Sequence, residues 1–217
     1  MLTGNSANTA RTIQMEIQTP MAGRPTNRDE RYAQVMLALV RCVARYGLDG
    51  ASLSQIAKEA GMTRPLVRHH LGNRDAIIGA LADFVIERFD AQNRALTAAL
   101  PEQAASQAMV DMLFSDQAAN DPDMILAFAA LTARSLEDTI LRAKCRASLL
   151  SFESTLAKIL RRDHPLAETA EIDRTAHGIS ALYMNVVSLA PLDMPAGWAA
   201  KARNLAQTLL DDLRDCR

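Results

Sequence analysis

The chain has 217 residues, 49% of them apolar, 23% charged and 4% aromatic, with a formal net charge of −1. This is enough apolar content to bury a sizeable core in one domain or two small ones. With no apolar run of about eighteen residues, a membrane-spanning helix is excluded. The three cysteines, Cys42, Cys145 and Cys216, are far apart and odd in number, which argues against a disulfide framework and for a reducing, cytoplasmic setting. Ala, Leu, Arg and Glu dominate and alternating β-branched stretches are scarce, so the expected fold class is all-α. The charge is unevenly spread. From Ala22 to Arg74 nine Lys or Arg stand against four Asp or Glu (+5), and from Asp75 onward fourteen stand against twenty (−6). A basic segment suits a polyanion, and an acidic remainder avoids one.

Taken in chain order, residues 1–22 are polar and without periodicity, and are expected to form a disordered tail. Arg24 follows beside Gly23 and Pro25, either as an arm reaching into a minor groove or as a solvated linker. The spacing then predicts a helix from Arg28 to Tyr46 that buries Tyr32, Val35, Met36, Leu39, Val40, Cys42 and Val43 and ends at Gly47. Cys42 on this stripe reads as a structural thiol. Ser52 is placed to cap a short helix whose apolar positions are Leu53, Ile56, Ala57 and Ala60, with Gly61 as its left-handed stop. Thr63 starts the next helix, with Pro65 in its first turn, where a missing N–H matters little. Two helices joined by so short a turn cross steeply, which leaves the second free to enter a groove.

On that second helix Val67 and Leu71 lie four apart and face inward, while Pro65 and His69 point away, with Leu66 and Arg68 on the flanks. Arg64 and Arg68 are one turn apart, and each can make a two-pronged hydrogen bond to guanine or to a phosphate; Pro65 and Leu66 can touch a thymine methyl. Asn73 caps a long helix from Arg74 to about Leu100, which carries more apolar residues than one partner can cover and so is expected to touch two domains. Prolines then divide the remainder into helices near 102–114, 123–137, 139–163, 166–189 and 196–216, making about nine in all.

The segment from Arg24 to Ile78 resembles the tetracycline-repressor-like (TetR) family of bacterial transcriptional regulators. The resemblance rests on Gly47, Ser52, Ile56-Ala57, Ala60-Gly61, Thr63, His69-His70 and Arg74-Asp75, which line up without gaps. It implies an N-terminal three-helix helix-turn-helix domain (23–74) and a C-terminal helical effector-binding and dimerisation domain (75–217). By the same resemblance, Ser52, Thr63, His70 and Arg74 match residues that hold phosphates, and Ser54, Arg64, Pro65, Leu66, Arg68 and His69 match residues near bases. The chain departs from the family pattern where Arg68 stands for its usual tyrosine, Leu71 for its phenylalanine and Pro65 for a frequent glycine. The implied partners are a double-stranded DNA operator, a small-molecule effector, and a second copy bound through helices at 166–190 and 196–216. The implied activity is ligand-responsive repression.

For the effector pocket, the chemistry of methionine and aromatic side chains points to Met109, Met112, Phe114, Met124, Phe128, Phe152, Tyr183 and Met184, with Arg134, His177 and Asn185 as polar candidates. Each of the apolar residues also fits a plain core, and His177 a satisfied interface histidine. An enzyme is not expected. Asp211-Asp212-Leu213-Arg214-Asp215 has the spacing of a magnesium-binding aspartate motif but no second cluster to complete a site. His69 and His70 are adjacent on a helix and diverge, so no metal or other cofactor is expected. An all-α small-molecule-binding protein without operator recognition, and an architectural DNA binder without effector, are the two other readings.

Overall fold

A computed structural model describes residues 27–115 and 121–215; Arg24, the 1–22 tail and Cys216 lie outside the described residues. Among these residues the chain forms nine α-helices and one short 3-10 turn, without strands, as the composition predicts. The helices are α1 (Asn27–Gly50), α2 (Leu53–Ala60), α3 (Arg64–Leu71), α4 (Arg74–Ala99), α5 (Ala105–Leu113), α6 (Pro122–Arg134), α7 (Thr139–Asp163), α8 (Thr169–Leu189) and α9 (Trp198–Asp215).

Local chemistry accounts for the N-terminal boundaries. α1 is broken at Gly47, whose φ of 71° and ψ of 171° only glycine adopts freely. Ser52 and Gln55 form a capping box: Ser52 Oγ accepts from the Gln55 amide at 3.3 Å and Gln55 Oε1 accepts from the Ser52 amide at 2.9 Å. Gly61 closes α2 in the left-handed region at φ 62°. Thr63 holds the N-cap position of α3 by its backbone, without a side-chain capping bond. Asn73 caps α4 through its side chain, 2.9 Å from the Ala76 amide.

Several boundaries further along differ from the sequence reading, each for a visible reason. α5 begins at Ala105 because Ala104 takes a left-handed conformation (φ 56°), and Asp163 accepts from the Ser106 amide and hydroxyl at 2.7 and 2.8 Å. α6 stops at Arg134; the Ser135 and Leu136 carbonyls beyond it are taken by Arg142 at 3.0 and 2.6 Å. α8 starts at Thr169 after a turn in which Arg161 donates to the Ala167 carbonyl at 3.1 Å, and α9 follows Gly197 at φ 85°. Tyr32, expected inside, is 38% exposed, because the buried stripe of α1 starts only at Val35.

The buried apolar residues form two clusters. The first joins α1 to α4 with Met124, Ala127, Phe128 and Leu131 of α6 and the start of α7. The second joins α5, α7, α8 and α9, with Leu96 and Leu100 packed against it. α4 therefore serves both clusters, which explains its surplus of apolar residues. α6 presses Leu131, fully buried, into the α1 side. The pairing of α8 with α9 is close enough at Gly178 that an added Cβ would stand 2.7 Å from Leu209 Cδ1, so a larger residue there would have to displace the end of the Leu209 side chain.

Candidate nucleic-acid interface and ligand cavity

α3 is short, and what holds it is inside: Val67 is fully buried and Leu71 is 3% exposed, both against α1 and α2. The opposite face is open. Arg64, Pro65, Leu66, Arg68 and His69 are all exposed, and among the described residues Arg64 and Arg68 make no ion pair. Two guanidinium groups without protein partners on one helix face are available to a polyanion at no cost in internal contacts. Ser52, Ser54 and Thr63 are also exposed, Ser52 with its hydroxyl engaged in the capping box.

The other basic positions are more constrained. Arg74 donates through Nη2 to the Leu48 carbonyl at 2.7 Å and to Asp49 at 2.8 Å, which ties the start of α4 to the end of α1. His70 is half-buried, its ring edge-on to His69 at 5.7 Å between centroids. The two histidines share a notch with Arg28, Asp29 and Tyr32 of α1. Arg28 and Tyr32 were not among the sequence candidates; their four-residue spacing on the outer face of α1 was the signal. The α2–α3 unit is seated by Gln34, which donates to the Ala60 carbonyl at 2.8 Å, and by the Arg41–Glu59 pair at 2.6 Å.

A second feature lies between α4, α5, α6, α7 and α8: a cavity of about 680 Å³, within the range that small-molecule sites occupy. Met112, Phe128, Phe152, Tyr183 and Met184 line it, together with Phe89, Leu96, Ile125, Thr132 and Ser148, which the sequence reading had not singled out. Phe89 and Phe128 meet edge-to-face at 5.4 Å, and Phe152 leans on Tyr183 at 5.3 Å. Six candidates stand elsewhere. Phe114 and Met124 are buried in the second and first core clusters, and Asn185 is exposed on α8. Met109 is fully buried on the face of α5 that packs in the second core cluster. Arg134 is exposed and paired with Glu137 at 2.5 Å. His177 is exposed, its Nδ1 3.1 Å from Glu153 Oε2 on the outer surface of α7 and α8. Asp211 and Asp212 are exposed on α9, and among the described residues no three His, Cys, Asp or Glu side chains gather to hold a metal ion.

The thiols of Cys42 and Cys145 are both buried and unbridged, and burial pushes both up from the usual thiol range. Among the described residues no helix is long and apolar enough to cross a membrane.

A capped short helix, a glycine turn and a second helix with a basic, unpaired outer face make up a helix-turn-helix, the reading module of transcriptional regulators. Residues 36–81 match the family described as bacterial regulatory proteins, tetR family. Relatives include the HTH-type transcriptional regulator BetI of Burkholderia cenocepacia (strain HI2424), 27% identical over 71% of this chain and 79% of its own length. The BetI of Vibrio campbellii (strain ATCC BAA-1116) is 26% identical over 88% of this chain and 94% of its own. Among solved structures, a transcriptional regulator from Pseudomonas aeruginosa PAO1 superposes with a TM-score of 0.72 at 21% identity, covering 88% of this chain and 93% of that one. A TetR-family transcriptional regulator from Streptomyces coelicolor gives 0.67 at 17% identity, covering 85% and 96%. Residues 36–81 thus carry a domain that matches the tetR family, and the fold over most of the chain is similar to that of TetR-family regulators. The relatives and the helix-turn-helix segment mark the chain as a helix-turn-helix transcriptional regulator.

Proposed function

We propose that this chain is a ligand-responsive repressor that binds a near-palindromic operator as a homodimer in the cytoplasm. Residues 23–74 are the DNA-reading unit and 75–217 the effector-binding and dimerisation unit. Arg64, Pro65, Leu66, Arg68, His69 and Ser54 face the bases; Ser52, Thr63, His70 and Arg74 hold phosphates, with Arg24 reaching the adjacent minor groove. The second copy docks through α8 and α9, setting two copies of α3 about one DNA turn, roughly 34 to 36 Å, apart.

One observation carries the coupling between effector and DNA. α4 and α6 supply Phe89 and Phe128 to the cavity wall, and the same two helices pack in the apolar cluster that holds α1, α2 and α3. A ligand that parts Phe89 from Phe128 shifts α4 or α6, and a close-packed cluster passes that shift to α3 rather than absorbing it. Release of DNA requires only that the ligand prefer the shifted arrangement.

The test is selection of bound sequences from random duplex DNA at near-physiological salt. Enrichment of one inverted repeat supports the reading and supplies the operator. Sequence-independent binding with a steep salt slope would make the protein architectural, and no binding would leave a ligand-binding protein alone.

A further inference from the structure

The cavity wall specifies what kind of molecule it takes. Among the described residues none of its lining side chains is charged. Of the charged groups on the surrounding helices, Arg94 pairs with Glu87, Lys144 with Asp83, and Asp111 with Arg203 of α9. A carboxylate or ammonium entering this space would give up its water without meeting a counter-charge, whereas an apolar body would only gain contacts. The aromatic rings do not change this balance, because they pack on each other, Phe89 on Phe128 and Phe152 on Tyr183, rather than forming an open cage for a cation.

Of the polar side chains in the wall, Gln92, Asn93, Ser115, Thr132, Ser148, Tyr183 and Ser188, only Ser148 is buried. Ser148 lies mid-way along α7, is 9% exposed and lines the cavity, yet its hydroxyl has no hydrogen-bond partner among the described residues, unlike Thr132, which donates to the Ala129 carbonyl at 2.8 Å. On a residue nine-tenths buried in the wall, a hydroxyl that is itself open to the cavity and has no protein partner is an anchor for a ligand's polar group. Met112 and Leu149, 36% and 38% exposed, stand at the rim, and flexible methionines there and at position 184 let the wall adjust to shape.

We infer that the effector is an uncharged, largely apolar molecule with one hydroxyl or carbonyl group, held by Ser148 Oγ and enclosed by the rings of α4, α6, α7 and α8. This rests on the reading of the cavity as the effector site.

The experiment is displacement of an uncharged fluorescent probe, N-phenyl-1-naphthylamine, from the full chain by three molecules with the same ten-carbon tail: decan-1-ol, decanoate and decyltrimethylammonium, each below its micelle concentration. The alcohol is expected to displace the probe at a concentration about tenfold or more below either ion. Ser148→Ala should weaken the alcohol several-fold more than it weakens the probe. Ala129→Trp, at an exposed position that also lines the cavity, should abolish probe binding at an unchanged melting temperature. Equal or better displacement by either ion, no displacement by the alcohol, or full probe binding to Ala129→Trp would each overturn the inference. Release of the selected operator is read separately by anisotropy of labelled DNA. Displacement without release supports the cavity chemistry and defeats the repressor reading, so the two failures are told apart.

Discussion

Replacing Arg68 by alanine separates what α3 does for the fold from what it does for DNA. The side chain is exposed and makes no ion pair among the described residues, and α3 is seated by Val67 and Leu71 on its other side. Removal should therefore change stability by no more than about 0.5 kcal/mol, as for surface positions without a partner. Any loss of affinity then belongs to the DNA contact. A two-pronged bond to guanine carries about 1 to 3 kcal/mol of discrimination, which is roughly 5- to 150-fold at one base position. Arg74→Ala is the control. Its pair with Asp49 and its hydrogen bond to the Leu48 carbonyl are solvent-exposed, so their loss costs the fold about 1 to 2 kcal/mol, and as a phosphate contact it should weaken all sequences alike and lower the salt slope by about one. The assay is fluorescence anisotropy with the selected operator and its single-base variants at two salt concentrations, alongside urea denaturation of both proteins. If Arg68→Ala weakens every variant equally, or lowers stability by more than about 1 kcal/mol, the assignment of Arg68 to base reading is wrong.

Three further outcomes are expected. Ser52→Ala removes the accepting half of the capping box and should lower stability by about 1 kcal/mol in urea titration, while Ser52→Asp, which can still cap, should retain most of it. Leu131→Ala opens a void where α6 meets α1 and should cost about 2 to 5 kcal/mol; a loss under about 1 kcal/mol would mean that α6 is not gripped by that cluster. Cys42 and Cys145, with thiols raised by burial, stay protonated near neutral pH and should react with iodoacetamide only as the chain unfolds. Because the native state holds these protons more tightly than the unfolded one, stability should be constant below the ordinary thiol range and fall as pH rises through it. A rise in stability over the same interval would contradict the shift.

The sequence by itself determined the local features: the stop at Gly47, the caps at Ser52 and Asn73, the left-handed Gly61, and the inward set of Val67 and Leu71. Each depends on residues within one or two helical turns, where φ/ψ preference and hydrogen-bond geometry act without reference to distant segments. The helix-turn-helix is nearly all such features, so its elements and its exposed basic face were legible from residues alone. What only the tertiary structure decided was which face of each later helix met which neighbour. Met109 and Met112 are three apart on α5, yet one is sealed in the core and the other stands at the cavity rim. Tyr32 continues the α1 stripe in sequence but stands exposed at the notch it shares with His69 and His70, and His177 and Arg134 turned outward to carboxylates on neighbouring turns or helices. Ser148 offered no signal at all. Cavity membership is set by the rotation of helices drawn from segments scores of residues apart, and that rotation is fixed by side-chain packing between them, which a periodicity read along one helix does not contain.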